Sequence, residues 1–148
     1  MDSKTLEHIS ELIEKSLYIK EIYNRAADSS DFKGLSDYFR KKSAERKKFS
    51  EELIKMLYDL GGKYEENKNL TERKSDLPLG SFETLGDPTD ISPQALFNLT
   101  ISANREILGN YEAILAQSDL PENHGALLKK QLGKTERTVS NIKFIGDI

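Results

Sequence analysis

Residues 32–62 read FKGLSDYFRKKSAERKKFSEELIKMLYDLGG, and this stretch decides the fold. Leu35, Tyr38, Phe39, Phe49, Leu53, Met56, Leu57 and Leu60 recur mostly at three- and four-residue steps. That period lays them along one stripe of an α-helix, from about Phe32 to Leu60. Gly61-Gly62 closes it, because the position after a last helical turn favours left-handed backbone that glycine adopts at little cost.

Working outward, the same period recurs three times. Toward the N-terminus, Leu6, Ile9, Leu12, Ile13, Leu17, Tyr23 and Ala27 predict a helix over 3–28. Asp28-Ser29-Ser30-Asp31 ends it and offers a cap for the next helix. Toward the C-terminus, Ser92-Pro93 opens a third helix over 93–117, with Ser as N-cap and Pro in the first turn. Its stripe is Leu96, Phe97, Thr100, Ala103, Ile107, Tyr111, Ile114 and Leu115. After the turn Ser118-Asp119-Leu120-Pro121, a fourth helix over 121–145 carries Leu128, Leu132, Thr135, Val139 and Ile142.

The segment 63–92 differs in kind. It holds Pro78, Pro88, Gly80 and Gly86 and sustains no period. Short connections join helices one to two and three to four, and a long one joins two to three. The expected architecture is therefore one all-α domain over 1–148. It is a four-helix bundle of two antiparallel hairpins joined by an irregular crossover, as in ferritin-like bundles.

Composition agrees with this. The 148 residues are 36% hydrophobic and 32% charged, with 22 basic and 25 acidic residues and a net charge of −3. One domain of this length buries a core without staples. There is no cysteine, which removes disulfides, thiolate nucleophiles and Cys-based metal sites. The near balance of charge argues against a nucleic-acid partner. The basic run Arg40-Lys41-Lys42…Arg46-Lys47-Lys48 is interrupted by Asp37, Glu45, Glu51 and Glu52 and reads as a solvated face. No membrane-length apolar stretch or secretory leader is present, so a cytoplasmic setting with no membrane partner is expected.

A bundle of this class raises the question of a carboxylate-bridged di-metal centre, which asks for a Glu from each of two helices and a Glu-x-x-His pair from each of the others. The mid-helix acids are Glu14, Glu45, Glu106 and Glu136. Three residues after Glu45 and Glu136 stand Lys48 and Val139, so the histidines are missing. At about 100° per residue, Glu14 and Glu106 point away from their stripes toward solvent, while Glu45 and Glu136 lie near stripe edges. No metal or cofactor is assigned.

His8 lies on the flank of helix one, and His124 reads as a solvated loop residue beside Gly125. Neither sits in a setting that suits phosphoryl transfer or nucleophilic catalysis, and no nucleotide-binding glycine motif is present.

What faces inward at mid-bundle is a polar set: Ser16, Lys20, Lys42, Glu45, Arg46, Thr100, Asn104, Gln131 and Thr135. Buried polar groups are costly unless paired, so a connected layer is expected, with Glu45 taking charge from Lys20 or Arg46. Such a layer either fixes helix register or forms a small ligand cavity. Ile19, Ile22 and Ala26 on helix one, and Leu99 and Ile101 on helix three, lie off the main stripes. They suggest an oligomer interface or a seat for the crossover.

Scattered positions carry a family resemblance: Tyr23 with Ala26-Ala27, Glu45-Arg46-x-x-Phe49-x-x-Glu52-Leu53, Leu60-Gly61-Gly62, Tyr111-Glu112 with Leu115, and Leu120-Pro121. In these the chain resembles a ferritin-like group of small bacterial four-helix-bundle proteins, domain of unknown function 2383. The likeness spans nearly the whole chain but departs at 63–92, where family members have a more helical connection. It implies the bundle fold and a cytoplasmic setting, and no activity. The expected function is non-catalytic, through a protein partner or a homo-oligomer. Metal binding (iron or manganese) and small-ligand binding are the alternatives.

Overall fold

The structure, a computed structural model, describes residues 3–28, 34–64, 93–117 and 119–146. They form four helices: α1 (Ser3–Asp28), α2 (Ser36–Asp59), α3 (Pro93–Leu115) and α4 (Glu122–Gly146). No strand occurs among the described residues. The protein is all-α, as its periodicity predicts.

Cross-helix hydrogen bonds fix the directions. Ser43 pairs with Asn24 and Arg46 with Ser16, so α1 and α2 run antiparallel. Thr5 meets Gln117 while Asn104 meets Tyr23, so α1 and α3 are antiparallel as well. Lys42 meets Thr138 and Phe49 meets Gln131, which sets α2 against α4 in the same way. It follows that α2 ends beside the start of α1, whereas α3 starts beside the end of α1. The end of α2 and the start of α3 therefore lie at opposite ends of the bundle. A helix of this length spans about 36 Å, and an extended segment the length of residues 65–92 reaches about 90 Å, so the link is long enough. The path of that crossover lies outside the described residues.

The helix ends differ in how well they follow local rules. Gly61 has φ +93°. Its N–H donates to the Tyr58 carbonyl and that of Gly62 to the Leu57 carbonyl, the paired bonds of a Schellman cap. The start of α2 departs from expectation. It begins at Ser36 with Leu35 at the cap position and no side-chain cap, while the Ser36 hydroxyl donates back to the Ala27 carbonyl. Of the stretch expected to supply a cap, Asp28 is the last residue of α1 and 29–31 lie outside the described residues, as does Ser92.

The core is continuous across the four helices. It includes Ile9, Leu12, Ile13, Tyr23, Phe39, Leu53, Met56, Ile107, Tyr111, Ile114, Leu128 and Ile142. α1 is its most enclosed member. Ile19, Ile22 and Ala26, off the main stripe, are buried too, and so is Leu99 on α3. Ile101 is half-buried against the same core. Ile19, Ile22, Ala26 and Leu99 thus lie in the core of the chain itself rather than on an exposed second face. No helix among the described residues is long and apolar enough to cross a membrane.

Candidate functional site

The polar residues at mid-bundle meet around Arg46, which is only 3% exposed. Its position on α2, one turn before Phe49 and Ser50, aims it between the other three helices. Nη1 donates to the Tyr111 hydroxyl at 3.1 Å and, at a long 3.4 Å, to the Ser16 hydroxyl. Nη2 donates to the Thr135 hydroxyl at 2.6 Å. The guanidinium thus reaches α1, α3 and α4 from α2. Its plane also lies against Phe49, 5.3 Å from the ring centroid.

The network continues outward through neutral groups. Tyr111 donates its own proton to Gln131 Oε1 at 2.7 Å. Gln131 Nε2 lies 3.4 Å from both the Phe49 carbonyl and Glu52 Oε1. Thr135 donates to the Gln131 carbonyl and Ser50 to the Arg46 carbonyl, each bonding back one turn on its own helix. A second, smaller knot sits about two turns away. Asn104 Nδ2 donates to the Tyr23 hydroxyl at 2.8 Å and to the Thr100 carbonyl at 2.6 Å, while its Oδ1 is buried without a partner.

Several sequence expectations change here. Among the described residues Arg46 has no carboxylate within ion-pair distance. Glu45, expected to neutralise Arg46 or Lys20, instead faces Lys42 one turn before it on the same helix, at 3.5 Å. Lys42 in turn donates to Thr138 on α4, so its stem bridges two helices at the bundle edge. Lys20 is half-buried and outside this network. Glu14, expected in solvent, is 3% exposed. Glu7 and Glu21, one heptad either side on the same face of α1, are exposed, so the burial is local to Glu14. Glu106, also expected in solvent, is half-buried, and Glu136 is exposed rather than at a packed edge. The four mid-level acids therefore do not converge. Among the described residues no three His, Asp or Glu side chains come close enough to hold a metal ion.

Two residues escaped the sequence reading. Tyr111 was assigned to the apolar stripe, yet its hydroxyl is the hinge between Arg46 and Gln131. The signal was available, since a buried Tyr needs a partner and Gln131 stands one turn from Thr135 on the facing helix. Lys15 is buried at 3% exposure, donating to Asn110 Oδ1 at 2.7 Å across the α1–α3 seam. Burial pulls its amine below the usual lysine value, partly opposed by Glu106 and Glu11. Burial also pushes the Tyr23 and Tyr111 phenols up, with Arg46 opposing in both cases.

The histidines stand apart. His8 is half-buried, its Nδ1 3.4 Å from Gln117 Nε2. His124 lies within the first turn of α4 rather than in a loop, its N–H donating to the Pro121 carbonyl. Neither belongs to the polar layer. Comparison of the chain with protein-family models and with curated proteins returns no match.

Proposed function

We propose that the protein is a non-catalytic helical bundle that acts by binding another protein through its charged exterior. The observation that supports this reading is how Arg46 is used. Its donors go to Ser16, Tyr111 and Thr135, one group from each other helix. A layer occupied in this way fixes the register of four helices. A single polar contact at a defined level is known to select one packing over its competitors. The exterior then carries the interaction. Among the described residues Tyr58 is the one large apolar side chain exposed, so the contact is polar.

A second reading, a small anion or polar molecule held by the layer, draws on the absence of a carboxylate at Arg46 and on the unpartnered Asn104 Oδ1. A third, iron or manganese held by Glu45 and Glu136, draws on the bundle architecture alone. Native mass spectrometry of protein purified without chelators separates all three. The expected spectrum is a bare chain of 16.8 kDa. A constant added mass, lost on denaturation, overturns the proposal in favour of a ligand or a metal.

A further inference from the structure

The edge where α2 faces α4 carries an unusual charge pattern. On α2 the strip Lys41, Glu45, Lys48, Glu52 alternates in sign at steps of four, three and four residues, which places all four on one flank. Gln131 of α4 lies 3.4 Å from Glu52 Oε1, so that flank is the one facing α4. On α4, Lys134 lies 5.7 Å from the centroid of the Phe49 ring of α2. Lys130 and Arg137 stand four residues before it and three after, on the same edge. Lys41, Lys48, Lys130 and Arg137 are exposed. None of these four, nor Lys134, has a carboxylate within 4 Å among the described residues. The two acids are already engaged, Glu45 by Lys42 and Glu52 by Gln131. A protein of net charge −3 therefore presents five unpaired cations along one groove between two antiparallel helices.

We propose that this groove docks an acidic helical segment of a partner protein. This rests on the function proposed above and names the partner's chemistry. Lys41 and Lys48 are seven residues apart, as are Lys130 and Arg137, so each rail repeats at about 10.5 Å. A third helix in the groove repeats its own face at the same interval and meets both rails with carboxylates spaced by three and four. A nucleic acid fits less well. Glu45 and Glu52 oppose a uniform phosphate chain at every second step of the strip. Phe49 is buried beneath Lys134 and Arg46 and offers no ring for base stacking.

The test uses the full chain and a synthetic helix bearing Glu at three- and four-residue steps on one face, followed by fluorescence anisotropy at low salt. Two controls accompany it: a peptide of the same composition with the spacing scrambled, and a single-stranded oligonucleotide of equal charge. The patterned peptide binds, and the scrambled one binds about tenfold more weakly. A variant carrying Lys41→Glu, Lys48→Glu, Lys130→Glu and Arg137→Glu loses about tenfold in affinity with an unchanged circular dichroism spectrum. The milder pair Lys48→Gln and Lys130→Gln gives a smaller loss and serves if the quadruple variant misfolds. Equal binding of the scrambled peptide, tighter binding of the oligonucleotide, or no binding of the patterned peptide overturns the proposal. A bare chain in the native spectrum together with no peptide binding removes the groove while sparing the interaction reading. An added mass in that spectrum removes the reading itself.

Discussion

At Arg46 a full positive charge is held among neutral acceptors, with the nearest compensation relayed through Tyr111 and Gln131 to Glu52. Removing a charge from water costs several kcal/mol, and three hydrogen bonds return only part of it. Arg46→Met keeps the volume and removes the desolvation cost. Tyr111 and Thr135 keep their own acceptors at Gln131. Its stability is expected within about 1 kcal/mol of the parent or above it. Arg46→Ala leaves a cavity and loses about 2–4 kcal/mol. Urea unfolding of both variants checks this, and equal damage by Met and Ala would sink it. The phenols give a second prediction. Tyr18, Tyr23, Tyr38 and Tyr111 are all raised above 10.0, chiefly by burial. The unfolded chain releases those protons first, so the stability they contribute is present below about pH 10 and lost above it. Lys15 works the other way, since its amine is lowered from 10.5 and its burial costs less once it is neutral. Four phenols outweigh one amine, so urea midpoints fall between about pH 9 and about pH 11. A midpoint that rises over that interval would contradict this assignment.

Among the elements, the end of α2 was the most legible in sequence and its start the least. Gly61-Gly62 specifies a left-handed cap because the backbone requirement is local. Gly61→Ala places a Cβ in open space, but at φ +93°, so backbone strain alone costs about 1–2 kcal/mol. Thermal denaturation measures it, and an unchanged midpoint would show that the cap relaxes. The start at Ser36 was not legible, because it is set by a hydroxyl reaching the Ala27 carbonyl on another helix, a tertiary contact with no local signature. α1 shows the same limit. Its main stripe predicts one buried face, yet Glu14, Lys15, Ile19 and Ile22 are buried beside it. Period reveals which residues share a face. It does not reveal how many neighbours a helix has, nor that Glu14 is buried while Glu7 and Glu21, a heptad away on the same face, are exposed. Most members of the polar layer were legible, since Ser16, Gln131 and Thr135 interrupt apolar stripes at one level, whereas Asn104 lies about two turns away with Tyr23. Their pairing was not: it depends on side-chain reach, which let Arg46 bypass Glu45 for Tyr111.

For the whole molecule, burial of Ile19, Ile22, Ala26 and Leu99 within the chain leaves no apolar face on those residues for a second copy. Light scattering is expected to give one chain's mass, 16.8 kDa, across a wide concentration range, and a stable dimer would overturn that expectation. The directions of the helices put the end of α2 and the start of α3 at opposite ends of the bundle. The central claim is that the polar layer completes the fold by itself and holds no ligand. The most direct test is equilibrium unfolding of protein that has been denatured in guanidinium with a strong chelator, dialysed and refolded, set beside protein never unfolded. The account predicts superimposable curves, because every group that closes the layer belongs to the chain. A refolded protein of lower stability, restored by added metal or by the small molecules released on denaturation, would contradict it and make the Arg46 layer a binding site.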